Sequence, residues 1–266
     1  MKKLAVIGKD VSKSLSPRIH NFIAEYTGNK LVYDSISIPE TEFVSRIGAL
    51  FKEYDGFNVT IPYKLSIMPY LKNTEGDAKV FGAVNTVRVS DMSGHNTDGL
   101  GFMLMLKNSG VEVDGKEILL LGAGGAGRSV AKKLSDAGAS VFVYDTKPES
   151  AKNLETEFRG VKALENISVK PYYAIVNATG IGMHRTEGIS PVGEELLDRC
   201  TVAIDLIYEP EKSAFLRLAE NCGKRIINGA AMLFYQAYYA QCIYFERQAD
   251  EKQAKELFDK FKEESI

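Results

Sequence analysis

Short apolar runs alternate with amphipathic stretches through the first hundred residues. Leu4 to Ile7 is apolar and stops at Gly8, a strand pattern. Arg18 to Tyr26 has helical spacing behind Pro17, a residue suited to a first helical turn. Leu31 to Ile38 (LVYDSISI) reads as a second strand, Thr41 to Leu50 as a helix and Phe57 to Ile61 as a third strand. Pro62 is expected to open a brief helix, and Val84 to Val89 to form a fourth strand. This alternation implies an α/β layer.

Asp98 to Ser109 reads as a helix, and from Glu117 the pattern becomes more regular. Strands are expected at Ile118 to Leu121, Val141 to Tyr144, Ala174 to Val176, Thr201 to Asp205 and Arg225 to Ile227. Helices are expected at Arg128 to Ala137, Ser150 to Phe158, Glu194 to Leu197 and Ser213 to Asn221. A long helix follows from Gly229 to about Gln248, then a charged one from about Asp250 to Glu264.

The 266 residues are 45% hydrophobic and 26% charged, an ordinary globular composition. Two modest domains or one large one can bury a core at this length without disulfides or metal. A net charge of -2 gives no basic excess for nucleic-acid binding. Cys200, Cys222 and Cys242 lie far apart without a CxxC pair, as expected of reduced thiols. His20, His95 and His184 lack metal-ligand spacing, so no metal is expected. The apolar part of MKKLAVIGK is too short for a signal peptide, and no run approaches the roughly 18 residues of a membrane span. A cytoplasmic protein with no membrane partner is the expectation.

Gly122, Gly124 and Gly127 form GxGxxG between a strand and a helix. The pattern serves a tight turn, close backbone approach to a pyrophosphate and close helix–strand packing. The free N–H groups of the following helix favour phosphate. Asp145 ends the next strand 18 residues past Gly127, where an acid can hydrogen-bond both ribose hydroxyls of NAD and repel the 2′-phosphate of NADP. The alternative role for Asp145 is a turn before Thr146 and Pro148. Lys147 is a candidate phosphate partner that keeps NADP open.

Other clusters are polar where strand ends and helix starts are usually ordinary. Ser14 and Ser16, in KSLSPRIHN, could hold a carboxylate or cap a helix. Lys64, in FNVTIPYK, is expected in the first turn of the Pro62 helix, where the dipole disfavours a protonated amine and suits a general acid/base. Asn85 in GAVNTV and Asp98 in HNTDGLG stand beside turn-forming glycines. Asn177 and Thr179 lie at the C-terminal end of a strand, the edge over which open α/β sheets bind ligands. Met232 and Gln236 share one helix face, and a Gln among Leu, Phe and Tyr invites a hydrogen-bond partner.

In order, SxSPxxHN, GxNVTxPxK, GAVNT, NTDGxG, GAGGAxR, NATxxGM and GxxMLxxQ cover nearly the whole chain. Together they resemble the shikimate dehydrogenase family. The resemblance implies a substrate domain of residues 1–98 completed by the C-terminal helices of 229–266, and a Rossmann-like dinucleotide domain of 99–228. It implies reversible, NADP-linked reduction of 3-dehydroshikimate to shikimate, with Lys64 as acid/base and Asp98 as its partner. Ser14 and Ser16 would meet the substrate carboxylate, and Thr60, Asn85, Asp98 and Gln236 the ring hydroxyls, with Tyr208 a further contact. Gly122, Ala123, Gly124, Gly125 and Ala126, with Thr179, Leu206 and Gly229, would line the cofactor site.

Two stretches depart from the family pattern. Lys13 stands where HSxSP has its histidine. Asp145 and Thr146 stand where NADP-using members carry Asn and Arg, so NAD(H) is expected as a cofactor at least competitively with NADP(H). The alternatives are an NAD-dependent quinate/shikimate dehydrogenase and a non-catalytic metabolite sensor. Intact Lys64 and Asp98, and the absence of a DNA-binding segment, oppose the sensor. Monomer and homodimer both remain open.

Overall fold

The computed structural model describes residues 1–264, apart from the side chain of His184. It divides into two compact units, one of Met1–Gly101 with the segment from Phe234 onward, the other of Phe102–Leu233.

The first unit opens with β1 (Lys2–Gly8), whose central residues are buried on both faces, as in an internal parallel strand. It pairs in parallel with β2 (Leu31–Ser37) and β3 (Gly56–Val59). Helix α1 (Ser16–Thr27) has Pro17 in its first turn and ends at left-handed Gly28. Helix α2 (Phe43–Glu53) buries Phe43, Ile47 and Leu50, one stripe at helical spacing. Four short elements follow: β4 (Asn73–Thr74), α3 (Asp77–Phe81), β5 (Thr86–Arg88) and β6 (Ser93–His95). The sheet order is β2-β1-β3-β5-β6-β4, with β5 antiparallel to both β3 and β6.

Helix α4 (Asp98–Asn108) leads into the second unit. There β7 (Glu117–Leu121), β8 (Ser140–Tyr144), β9 (Val161–Ala163), β10 (Tyr172–Asn177), β11 (Cys200–Asp205) and β12 (Arg225–Ile227) form a wholly parallel sheet. Its order, β12-β11-β10-β7-β8-β9, is the doubly wound arrangement, reversing between β7 and β10. The crossovers include α5 (Gly125–Asp136), α6 (Pro148–Glu157), α7 (Glu194–Leu197) and α8 (Ala214–Asn221). Leu119, Leu121 and Ile175 pack against Leu197, Phe215 and Leu216 on one face of this sheet.

Two helices complete the chain, α9 (Ala230–Tyr244) and α10 (Glu251–Glu263). Leu4, Val6 and Tyr33 pack with Ala240 and Tyr244 of α9. A Cβ at Gly56 would stand 2.7 Å from the Tyr244 ring, so only glycine admits that approach of helix to strand. Asp250 caps α10 by accepting the Lys252 and Gln253 N–H groups.

Three differences from the sequence pattern have physical causes. No helix begins at Pro62: residues 61–67 form successive turns before one 3₁₀ turn at Met68–Tyr70. The Lys64 carbonyl accepts the Val84 N–H at 2.8 Å, diverting the backbone from a helical ladder. Helix α9 stops at Tyr244 rather than near Gln248, because Glu246 takes a positive φ of 51° and the Arg247 N–H returns to the Cys242 carbonyl. Strands β4, β6 and β9 and helix α3, at two to five residues, are too short for periodicity to disclose.

Candidate active site

Lys64 and Asp98 are 34 residues apart in sequence and meet in the first unit. Lys64 projects from the turns after β3, and Asp98 is the first residue of α4. Lys64 Nζ donates to Asp98 Oδ2 at 2.5 Å, with the side chains only 16% and 10% exposed. Withdrawing a cation and a carboxylate from water costs several kcal/mol per ion before their attraction repays it. A pair this withdrawn from water is a functional-site candidate on its geometry. The expected helix-dipole effect on Lys64 does not apply, because the residue lies in a turn; its environment is set by Asp98.

The other Asp98 oxygen, Oδ1, accepts from Asn85 Nδ2 at 2.7 Å. Asp98 also has its own N–H held by Asn96 Oδ1 at 3.1 Å. Asn85 Nδ2 reaches Thr97 Oγ1 at 3.0 Å, and that hydroxyl donates to Gln236 Oε1 at 3.5 Å. Asn85 and Gln236 thus meet at Thr97, a residue of NTDG beside Asp98, and Lys64 joins them through Asp98. The group offers a proton donor, a carboxylate and amides in one place, the equipment to hydrogen-bond hydroxyl groups and move a proton.

Thr60 lies between β3 and the Lys64 turns; its N–H donates to the Ile7 carbonyl and its carbonyl accepts from Tyr63. Gly8 gives it room, since a Cβ there would be 2.5 Å from Thr60 Cγ2. Ser14 Oγ accepts the Ser16 N–H at 3.2 Å where α1 begins. The N-cap of α1 is Leu15, with no side-chain capping bond, so capping does not occupy Ser16. Among the described residues, neither serine is hydrogen-bonded to the Lys64 group.

In the second unit, Gly122 to Gly127 turn from β7 into α5. Gly122 has a φ of 96°, and a Cβ at Gly127 would stand 2.1 Å from the Gly122 carbonyl oxygen. Nothing would meet a Cβ at Gly124, so backbone is open there at the N-cap of α5. Ala123, Gly125 and Ala126 complete the turn, which leaves the first N–H groups of α5 for an anion. These residues fit a dinucleotide pyrophosphate.

Asp145 acts on this loop directly. Its Oδ2 accepts the Ala123 N–H and its Oδ1 the Lys147 N–H, both at 2.8 Å. The turn role is therefore present, and it is joined to the glycine loop. Arg128 makes a bidentate pair with Glu157, which engages the arginine of the loop helix.

Thr179 Oγ1 donates to Asn177 Oδ1 at 2.6 Å, and a Cβ at Gly122 would come within 3.0 Å of Thr179 Cγ2. Asn177 is held in turn by Asp205, the last residue of β11, which looks like an ordinary strand end in the sequence. Asp205 accepts from Asn177, Ser213 and the Ile207 N–H, while burial pushes its carboxyl up to about 6. Leu206 and Gly229 are in contact: a Cβ on Gly229 would stand 2.0 Å from the Leu206 oxygen. Tyr208, half-buried in the segment after β11, belongs to this unit, and burial raises its phenol. Among the described residues no three His, Cys, Asp or Glu are grouped to hold a metal ion, and no helix is long and apolar enough to cross a membrane.

Comparison with known proteins agrees with both halves of this geometry. Residues 6–87 match the shikimate dehydrogenase substrate binding domain, and residues 88–170 the NAD binding domain of D-isomer specific 2-hydroxyacid dehydrogenases. A shikimate dehydrogenase (NADP(+)) of Carboxydothermus hydrogenoformans is 38% identical over 90% of each chain. The Thermus thermophilus shikimate 5-dehydrogenase, solved with NADP(H) and shikimate, superposes with a TM-score of 0.88 at 33% identity, covering 98% of this chain and 99% of that one. The Listeria monocytogenes shikimate 5-dehydrogenase, solved with shikimate and NAD, gives 0.81 at 26% identity, covering 97% and 96%. With the buried Lys64–Asp98 pair in one unit and a dinucleotide loop in the other, the chain belongs to the shikimate dehydrogenase family, nicotinamide-dependent oxidoreductases that act on a CH–OH group.

Proposed function

We propose that Lys64 and Asp98 carry the proton chemistry of the interconversion of 3-dehydroshikimate and shikimate. The observation that carries the reading is the Lys64–Asp98 contact, nearly withdrawn from water and braced by Asn85. In reduction, Lys64 Nζ donates a proton to the ketone oxygen; in oxidation the same amine takes it from the hydroxyl. Asp98 holds the amine in place through Oδ2 and keeps a lone pair for a ring hydroxyl. Asn85, Thr60 and Gln236 orient the remaining hydroxyls, and Ser14 and Ser16 receive the carboxylate, with Tyr208 a further contact. The bound nicotinamide supplies the hydride acceptor or donor.

For the cofactor, the proposal is that the enzyme uses NAD(H) at least competitively with NADP(H). The N–H groups at the start of α5 receive the pyrophosphate, and Thr179, Leu206 and Gly229 shape the rest of the site. The Asp145 carboxylate keeps an acceptor position on each oxygen for ribose hydroxyls while it braces Ala123. A 2′-phosphate beside that carboxylate meets repulsion, and Thr146 stands where an arginine would neutralise it. Lys147 is the exposed cation at hand. The Listeria relative solved with NAD supports this reading. A cytoplasmic location accords with a pathway of small-molecule biosynthesis. Initial rates of shikimate and quinate oxidation, each with NAD and with NADP, test the assignment. Comparable kcat/KM for the two cofactors with shikimate preferred is expected; a kcat/KM for NADP more than about a hundredfold above that for NAD refutes the cofactor assignment, and faster turnover of quinate refutes the substrate.

A further inference from the structure

Asn85 donates to Asp98 only if its amide is turned one way, since the opposite flip would face oxygen with oxygen. Two backbone groups that cannot reverse roles decide the orientation. The Thr97 N–H, a donor only, lies 2.9 Å from Asn85 Oδ1. The Asn85 carbonyl, an acceptor only, lies 3.1 Å from Asn58 Nδ2. From these anchors the bonds that run from Asn58 to Asp98 acquire a direction. Asn58 Nδ2 also donates to Thr86 Oγ1 at 3.1 Å, so the single Thr86 hydroxyl proton is directed to Asn85 Oδ1 at 2.8 Å. Asn58 Oδ1 accepts from the Tyr33 hydroxyl at 2.7 Å. The line runs Tyr33 to Asn58 to Thr86 to Asn85 to Asp98, all of it buried.

The strand register creates this line. Asn58 of β3 and Thr86 of β5 are direct partners across an antiparallel pair, where facing side chains are closest. The preceding residue, Asn85, lies just outside β5, where its side chain turns toward Asp98. We infer that Thr86 is a positioning residue for the reaction, acting without substrate contact by holding the Asn85 amide so that it aims Asp98, and through Asp98 the Lys64 amine. The inference rests on the proposed roles of Lys64 and Asp98. A carboxylate with one oxygen bonded on each side has its plane defined. Proton transfer tolerates less displacement than binding does, so the loss falls mainly on kcat.

The test separates the hydroxyl from the shape of the side chain. Thr86→Val keeps the shape and removes the hydroxyl; Thr86→Ser keeps the hydroxyl and removes a buried methyl. Thr86→Val is expected to lower kcat about 10- to 100-fold, with a smaller change in shikimate KM. Thr86→Ser is expected to hold kcat within about twofold although it melts at a lower temperature. If the valine chain does not fold, Thr86→Ala against Thr86→Ser makes the same comparison. Activity that follows melting temperature rather than the hydroxyl overturns the inference, as does full activity without the hydroxyl. Lys64→Ala is measured beside them. An inactive Lys64→Ala with a fully active Thr86→Val refutes the positioning role alone, whereas an active Lys64→Ala refutes the underlying site.

Discussion

His20 offers a quantitative test of how the first unit is built. Its ring is fully buried, stacked on Tyr33 at 4.2 Å with an interplanar angle of 13°, and near Tyr244 at 6.4 Å. Among the described residues neither ring nitrogen has a hydrogen-bond partner of full geometry, and burial pushes the imidazole down from 6.5 to about 3 against a smaller opposing pull from the Asn58 side chain. Tyr33 and Tyr244 are themselves kept neutral by burial, so no counter-charge waits for an imidazolium. Because the folded value lies below the unfolded one, the unfolded chain takes up the proton first as pH falls. The stability tied to a neutral His20 is complete above pH 6.5 and is lost progressively toward pH 3. Linkage over that interval gives a loss of about 2 kcal/mol by pH 5 and about 3 kcal/mol by pH 4. That is a large share of the roughly 5–15 kcal/mol typical of a folded domain. His20→Phe keeps a ring of similar size in the stack and removes the titration. The chain has no tryptophan, so urea unfolding is followed by circular dichroism and by hydrogen exchange at the β1 amides. Between pH 7.5 and 5 the parent should lose about 2 kcal/mol more than the variant. His95, whose value burial also lowers, is common to both chains and cancels. Parallel stability profiles would show that His20 does not carry this pH dependence.

In the second unit, Gly127→Ala sets a Cβ 2.1 Å from a backbone oxygen that no rotamer change can move. Dinucleotide affinity by calorimetry should fall about a hundredfold while shikimate affinity is retained; unchanged dinucleotide affinity contradicts the loop assignment. Asp205 runs with the opposite sign from His20. Burial raises its carboxyl from 3.8 to about 6, so the parent loses stability as pH rises through that window, at most about 3 kcal/mol. Asp205→Asn should remove that decline in pH-dependent unfolding, and a decline of unchanged slope would show that Asp205 does not cause it.

The candidate site was more legible in the sequence than its surroundings. Lys64, Asn85 and Asp98 stood out because polar residues at strand ends and beside glycines are conspicuous against apolar strands. The glycine loop was legible because its spacing is set by local sterics between adjacent elements. What escaped depends on partners far along the chain. The Pro62 helix failed because Val84, twenty residues on, claims the Lys64 carbonyl. Thr86 and Asn58 look like ordinary strand residues until β3 and β5 are set in register. The Asp145 carboxylate meets the Ala123 N–H only once β7 and β8 lie side by side. The stop of α9 rests on a positive φ at Glu246, which a glutamate does not announce.

Lys64 is proposed to move the proton. The most direct test is steady-state oxidation of shikimate by the Lys64→Ala enzyme, with shikimate affinity measured on the same preparation. A kcat lowered by about 10²- to 10⁴-fold is expected while shikimate still binds within about tenfold of the parent. Turnover at the parental rate would contradict it.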